Sequence, residues 1–113
     1  MESGFRSTDW QQLTFAVVGM GLIGGSYAKA LRRLGVKNIT GVDVNKNVLQ
    51  QALADGVIDH AYENAGAYLA EADVIICCIY PKAVTEFLRQ AVPFIKKGAV
   101  ITDVSGRKGQ PAL

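Results

Sequence analysis

A glycine-rich run constrains the fold of this chain more than any other segment: it reads Gly19-Met20-Gly21-Leu22-Ile23-Gly24-Gly25 and follows two valines. The pattern predicts a buried strand, a tight turn and the first turn of a helix. In it, Gly19 permits the turn, Gly21 lets the backbone approach a phosphate, and Gly24 lets the helix pack closely on the strand. The helix start adds unpaired N–H groups and the positive end of a dipole, which favour an anion. Such a short pattern is weak alone, so its meaning depends on the rest of the chain.

Strand and helix patterns alternate along the remainder of the chain. Strands are predicted at residues 13–19, 38–44, 57–58, 73–80 and 99–104. Helices are predicted at residues 22–34, around 48–53 and from Pro81 to about Pro93, with a weak helix between 62 and 72 that Gly66 interrupts. In the first helix, apolar side chains recur at helical spacing, with Lys29, Arg32 and Arg33 on the other side; the apolar residues are Ile23, Tyr27, Ala30, Leu31 and Leu34.

This alternation predicts an α/β fold: a doubly wound parallel sheet of about five strands with helices on both faces. Ligands of such sheets bind at the carboxyl ends of the strands, where the strand order reverses, here between the first and fourth strands. Four polar or glycine-containing segments fall at those ends: the glycine turn, Asp43, Tyr80-Pro81 and Val104-Ser105-Gly106.

Asp43 ends the second strand, 24 residues after Gly19. An acid about 20 residues after the glycine turn binds the ribose hydroxyls of a dinucleotide and repels a 2′-phosphate. Asp43 therefore favours NAD over NADP, although Lys46 nearby offsets part of that repulsion. The alternative interpretation is a solvated aspartate in a loop.

A polar segment rich in glycine, residues 102–109, follows the fifth strand. In this position Ser105 is able to hydrogen-bond a substrate or the nicotinamide carboxamide, and Arg107 and Lys108 are able to attract a carboxylate. A solvated turn after an edge strand is the competing interpretation, which composition alone does not exclude.

Composition excludes several classes of protein. The 113 residues carry a net charge of +2 without clusters of Lys or Arg, which argues against a nucleic-acid or membrane surface. The longest apolar run, residues 74–80, falls well short of the roughly 20 residues that span a bilayer. The two cysteines, Cys77 and Cys78, are neighbours that point to opposite faces of a strand, and His60 is the only histidine, so no metal site is predicted.

The polar residues 1–12 carry no signal-peptide core and are expected to form a flexible arm. Within this arm, Trp10 has the apolar surface needed to pack onto the domain. Residues 13–113 are then a single dinucleotide-binding domain. Without a disulfide framework or a signal, a cytoplasmic location is expected.

Together these segments resemble the N-terminal NAD-binding domain of the prephenate dehydrogenase and arogenate dehydrogenase family. The motifs that carry the resemblance are residues 18–26, 41–43, 72–76, 80–81 and 101–109. The resemblance implies a cofactor site formed by Gly19, Met20, Gly21, Leu22, Ile23, Gly24, Asp43, Val44, Tyr80, Pro81, Ser105 and Gly106. Many relatives place a catalytic serine after a glycine in the last motif. Here Gly106 occupies the usual serine position, and Ser105, one residue earlier, is the candidate catalytic residue.

The resemblance also implies an activity for a longer parent protein: oxidative decarboxylation of prephenate, or of arogenate, with NAD on the pathway to tyrosine. The family's catalytic histidine and substrate-binding arginine lie in a region beyond these residues, followed by a helical domain that forms a homodimer. The chain alone is therefore expected to bind cofactor without turnover, and its small-molecule substrate needs the missing domain. Two alternatives stay open: another NAD-dependent dehydrogenase, such as a β-hydroxyacid type, and a stand-alone NAD(H)-sensing module.

Overall fold

A computed structural model describes residues 9–104 of the chain. Its five strands are β1 Thr14–Val18, β2 Asn38–Val42, β3 His60–Tyr62, β4 Val74–Cys77 and β5 Val100–Asp103. They are all parallel and lie in the order β3-β2-β1-β4-β5. The helices are α1 Leu22–Arg33, α2 Lys46–Ala54 and α3 Pro81–Ala91, and two 3-10 turns span Asp9–Gln12 and Ala67–Glu71.

The strand order reverses between β1 and β4. Val18, the last residue of β1, is in register with Val42 of β2 on one side and with Cys77 of β4 on the other. The carboxyl ends of these three strands therefore meet at one edge of the sheet, which we call the carboxyl edge, and the opposite edge is the amino edge. This topology confirms the predicted doubly wound sheet and places its crevice at the end of β1.

Two apolar layers enclose the sheet. One layer joins α1 and α2 to the strands through Val17, Ala28 and Leu49. The other joins the second 3-10 turn and α3 through Leu69 and Val84. The neighbouring cysteines divide between them, since Cys77 belongs to the second layer and Cys78 packs against the first. Helices thus cover both faces, as the alternating pattern predicted.

The buried face of α1 is not its most apolar face. Gly24 and Ala28 are its buried residues, whereas Ile23 and Tyr27 are each 39% exposed and Leu34 is 58% exposed. Of the apolar residues that recur at helical spacing, Leu31 packs against the first layer, whereas Ile23, Tyr27 and Leu34 lie outside the buried face. The helix begins so close to β1 that only small side chains fit beneath it, which leaves the large ones on its flank.

The third strand lies later than predicted. Val57 and Ile58, expected to form it, are buried in the turn that follows α2. Their N–H groups donate to the carbonyl of Ala52, at 2.9 and 3.4 Å, and not to a neighbouring strand. Because the helix end already uses these donors, hydrogen bonding to β2 begins only with the Asp59 N–H, which donates to the Ile39 carbonyl at 2.7 Å, and the strand begins at His60.

Part of the predicted N-terminal arm belongs to the packed domain. Residues 9–12 form a 3-10 turn in which Trp10 packs against the first apolar layer. The side-chain amide of Gln11 donates to the carbonyl of Leu34 at 2.6 Å, and the backbone carbonyl of Gln11 accepts the Lys37 N–H at 3.3 Å. Residues 1–8 lie outside the described residues.

A hydrogen-bonded group at the amino edge joins the end of α1 to the α2–β3 turn. Arg32 donates to the carbonyl oxygens of Gly56 and Val57 and to the carboxylate of Asp59, at 3.0 to 3.3 Å. The same Asp59 oxygen accepts the N–H of Ile39 in β2 at 2.8 Å. We call this group the Arg32 staple; it lies at the end of the sheet opposite to the glycine turn.

Candidate dinucleotide site

Gly19 leaves β1 with a backbone conformation that suits glycine. Its φ is +94°, and a Cβ at this position would lie 2.8 Å from the carbonyl oxygen of Cys78. Its N–H continues the ladder of the sheet by donating to the Val42 carbonyl at 2.7 Å. The first glycine of the motif is therefore required by the protein's own turn.

Gly24 allows the close approach of α1 to the end of β1. A Cβ on Gly24 would lie 1.6 Å from the carbonyl oxygen of Gly19, which is far inside contact distance. This contact fixes the start of α1 directly over the glycine turn. The third glycine of the motif thus serves helix–strand packing.

Gly21 and Gly25 have no comparable packing reason. No atom of the described chain lies within 4 Å of a Cβ built on Gly21, and the nearest to one on Gly25 is the Met20 carbonyl oxygen at 3.6 Å. Gly21 is the N-cap of α1, and no side chain caps the helix there. The N–H groups of the first turn therefore face an open space beside Gly21, next to Leu22, whose side chain is 89% exposed.

The carboxylate of Asp43 is held beside the glycine turn by two backbone donors. Its Oδ2 accepts the Met20 N–H at 2.7 Å, and its Oδ1 accepts the Asn45 N–H at 2.9 Å. Its own N–H donates to the Tyr62 carbonyl at 3.1 Å. Asn45 in turn caps α2 by accepting the N–H groups of Asn47 and Val48. Sequence spacing placed Asp43 at this edge, but it carried no signal for the bond to Met20.

A groove of about 320 Å³ runs along the carboxyl edge between the β2–α2 loop and α3. Asp43 and Val44 line one wall, Ala83 and Phe87 line the other, and Gly19 contributes to its floor. Val44 is well exposed at the rim. The groove thus continues from the glycine turn past the aspartate, as an elongated ligand with two ends requires.

Tyr80 and Pro81 stand on the other side of the crevice. Tyr80 is the N-cap of α3, with 83% of its side chain exposed, and Pro81 is the first residue of that helix. Val104, the last described residue, donates its N–H to the Cys77 carbonyl at 3.0 Å, so the described part of the chain ends at this edge. The predicted site residues Ser105 and Gly106 lie outside the described residues. His60 is exposed at the start of β3, towards the amino edge.

Ionisable groups near the crevice offer no activated thiol. Burial raises the pKa of both Cys77 and Cys78 to about 11, with a smaller contribution from the charge of Asp103. Among residues 9–104, no three His, Cys, Asp or Glu side chains are grouped so as to hold a metal ion. In the same range, no helix has the length and apolar character needed to cross a membrane.

A parallel sheet whose order reverses beside a glycine turn, an uncapped helix start and a carboxylate on the next strand define a dinucleotide-binding domain. The chain belongs to the family described as prephenate dehydrogenase, nucleotide-binding domain, whose family model matches residues 27–113. This match confirms the resemblance drawn from the sequence motifs.

Solved structures agree with this assignment. The chain is 28% identical to the prephenate dehydrogenase of A. aeolicus in complex with hydroxyphenyl propionate and NAD+, with a TM-score of 0.75, covering 81% of this chain and 33% of that one. It is 30% identical to Synechocystis arogenate dehydrogenase, with a TM-score of 0.72 and coverage of 81% and 32%.

A relative found by sequence extends the comparison to another enzyme class. The chain is 36% identical over 97 residues to the ketol-acid reductoisomerase (NADP(+)) of Pyrobaculum islandicum, covering 82% of this chain and 28% of the relative. The chain therefore spans about a third of the length of each dehydrogenase and 28% of the length of the reductoisomerase.

Proposed function

We propose that this domain binds NAD as the nucleotide-binding part of a prephenate dehydrogenase. One observation carries the proposal: the space at Gly21 is open and lies at the uncapped start of α1, next to Met20, whose N–H donates to the carboxylate of Asp43. Anions bind at such helix starts, and carboxylates bind ribose hydroxyls. The residues present therefore suit the diphosphate and the adjoining ribose of a dinucleotide.

Each proposed contact follows from its place along the crevice. The turn Gly19 to Gly24, with Met20, Leu22 and Ile23, receives the diphosphate on its backbone N–H groups. Asp43 and Val44 bind the ribose on the groove side. Tyr80 and Pro81 border the nicotinamide half, and Ser105 and Gly106 act near the substrate, with Ser105 as the candidate catalytic residue.

The charges around Asp43 favour NAD over NADP. A 2′-phosphate placed on this ribose would meet the Asp43 carboxylate. Lys46, the nearby cation that could attract that phosphate, has its ammonium 3.8 Å from the carboxylate of Glu63. The pairing reduces the positive charge that Lys46 offers to a ligand, so the aspartate dominates the local field.

In the whole protein we propose the oxidative decarboxylation of prephenate to 4-hydroxyphenylpyruvate, a step in tyrosine synthesis. NAD, when bound, accepts the hydride, and the carboxylate leaves as carbon dioxide. A base must remove the ring-hydroxyl proton, and the single histidine of this chain lies towards the amino edge. We therefore propose that the chain alone binds cofactor without turnover. For the parent protein we propose that it acts on prephenate as a homodimer in the cytoplasm.

Arogenate is the second candidate substrate, favoured by the 30% identity with Synechocystis arogenate dehydrogenase. Prephenate and arogenate differ in the side chain, where a keto group replaces an amino group. Comparing turnover of the two substrates by the full-length parent separates these candidates.

Calorimetric titration with NAD and NADP tests the proposed site. Replacing Asp43 with serine removes a charged hydrogen-bond acceptor worth about 1.5–3 kcal/mol, so NAD affinity should fall by roughly one to two decades and the advantage over NADP should narrow. Glu71→Gln is the matched control, because Glu71 is an exposed carboxylate at the end of the second 3-10 turn, away from the crevice. Unchanged affinities in Asp43→Ser would show that Asp43 does not bind the ribose.

A further inference from the structure

Asp43 makes a contact that cofactor recognition does not require. Its Oδ2 atom accepts the N–H of Met20 at 2.7 Å, and Met20 lies inside the glycine turn, 23 residues away in sequence. We propose that Asp43 is a positioning residue for the glycine turn, holding it in the shape that receives a diphosphate before any ligand arrives. This inference rests on the proposed function and deepens it.

The turn is tied to β2 at two successive residues. Gly19 donates to the main chain of Val42, which ends the regular ladder, and Met20 then donates to the side chain of Asp43. The next N–H bonded within the motif is that of Gly25, which donates to the Gly21 carbonyl at 2.7 Å. The Asp43 bond thus extends the anchoring of the turn by one residue, up to the edge of the open space at Gly21.

The Met20 side chain provides a second anchor, which fixes the position of the residue whose N–H bonds to Asp43. It is buried, and it packs against Gly41, where a Cβ would lie 3.1 Å from the Met20 Cγ. The side chain holds Met20 beneath the α1–α2 layer, while the carboxylate orients its peptide plane. Orientation matters because the peptide that follows Met20 presents the N–H of Gly21 to the crevice.

Both roles are compatible on one carboxylate. Each oxygen of an ionised carboxylate has two acceptor positions, and the backbone donors Met20 and Asn45 occupy one on each oxygen. One position per oxygen remains for the two ribose hydroxyls. The same side chain therefore couples the ribose subsite to the diphosphate subsite, and removing it should weaken even a ligand that has no ribose hydroxyls.

The test compares two probes, ADP and 2′,3′-dideoxy-ADP, by titration calorimetry on the wild-type chain, Asp43→Ala and Asp43→Asn. Dideoxy-ADP keeps the diphosphate and lacks both hydroxyls. We expect Asp43→Ala to bind dideoxy-ADP about three- to tenfold more weakly than the wild type, and to lose more affinity for ADP. Asp43→Asn keeps a neutral acceptor for the Met20 N–H, so its affinity for dideoxy-ADP should lie between those of the wild type and Asp43→Ala.

Asp59→Asn is the matched control, because Asp59 also accepts a backbone N–H, that of Ile39, but at the amino edge. It should change stability without changing the affinity for either probe. If Asp43→Ala binds dideoxy-ADP as tightly as the wild type while losing ADP affinity, the positioning role is refuted and the ribose role stands. If both probes lose affinity by the same factor, the positioning role holds and the ribose contact fails. A wild-type chain that binds neither probe refutes the proposed function itself.

Hydrogen exchange keeps the proposal testable should Asp43→Ala fail to fold. In Asp43→Asn without ligand, the Met20 amide should exchange faster than in the wild type. The amide of Gly25, bonded within α1, should be unchanged. An unprotected Met20 amide in the wild type, or equal Met20 exchange in the two proteins, would overturn the proposal, because a charged carboxylate holds an N–H more strongly than the neutral amide oxygen of asparagine.

Discussion

Replacing Gly24 with alanine should destabilise the domain strongly, while the same change at Gly25 should not. The two glycines are adjacent in α1, so their helix propensities are matched. They differ in surroundings: a Cβ on Gly24 would lie 1.6 Å from the Gly19 carbonyl oxygen, whereas the nearest atom to a Cβ on Gly25 is 3.6 Å away. The pair therefore isolates the effect of helix–strand contact.

The size of the effect follows from these distances. Contact at roughly 3 Å requires the start of α1 to retreat from the end of β1 by about 1.4 Å. That movement loosens the packing of Ala28, which is fully buried one turn further along. Overpacking of this kind costs about 1–3 kcal/mol or more, and alanine in a helix offsets only about 0.5–1 kcal/mol. We expect a net loss near 2 kcal/mol for Gly24→Ala and a small gain for Gly25→Ala.

Thermal and urea unfolding followed by circular dichroism measures both variants. A loss near 2 kcal/mol corresponds to a fall in Tm of roughly 10 °C for a domain of this size. Should Gly24→Ala be as stable as Gly25→Ala, the close approach of α1 to β1 would not limit the residue at this position. The reasoning about the glycine turn would then fail at its structural basis.

Three further predictions follow from other contacts. Gly21→Ala should leave the Tm unchanged, because no atom lies within 4 Å of the new Cβ. In calorimetry the same variant should lower the affinity for NAD at least about tenfold, because the new methyl group would contact the diphosphate. Wild-type affinity in this variant would contradict the proposed cradle. Burial alone would raise the pKa of Asp73, but hydrogen bonds from Lys96 and from a backbone N–H lower it below its usual value near 4. Its contribution is thus present at neutral pH and lost in acid, so the stability difference between wild type and Asp73→Asn in urea should shrink from pH 7 to pH 3; a constant difference would refute this. Arg32→Lys should cost about 1–2 kcal/mol in urea unfolding, because a lysine cannot reproduce the forked hydrogen bonds, with NAD affinity unchanged; altered NAD affinity would show that the two sheet edges are coupled.

Local patterns predicted the parallel sheet, the reversal beside β1 and the position of Asp43. These features depend on the alternation of apolar runs with glycine and proline, which the sequence displays directly. The glycine turn was also predictable, because the positive φ of Gly19 and the contact between Gly24 and Gly19 are local to the turn. The carboxyl edge could therefore be assembled from the ends of predicted strands alone.

Features that depend on three-dimensional distance were not predictable. Helical spacing indicated the apolar stripe through Ile23 and Tyr27, but the narrow gap under α1 admits only Gly24 and Ala28. The apolar pair Val57-Ile58 suggested a strand, yet the N–H groups of both residues bond to the end of α2. In both cases tertiary packing decides between options that a one-dimensional pattern treats as equal.

The Arg32 staple has a consequence for how such domains diversify. It joins α1, β2 and the α2–β3 turn at the amino edge, so residues that hold the layers together there are separate from those that meet ligands. Outside Gly19 and Gly24, positions at the carboxyl edge can then vary during evolution without loosening the amino edge. The proteins that are similar to this chain include a ketol-acid reductoisomerase as well as a prephenate and an arogenate dehydrogenase. For an engineer, the β2–α2 loop is accordingly the segment to exchange between relatives, with the amino edge left intact.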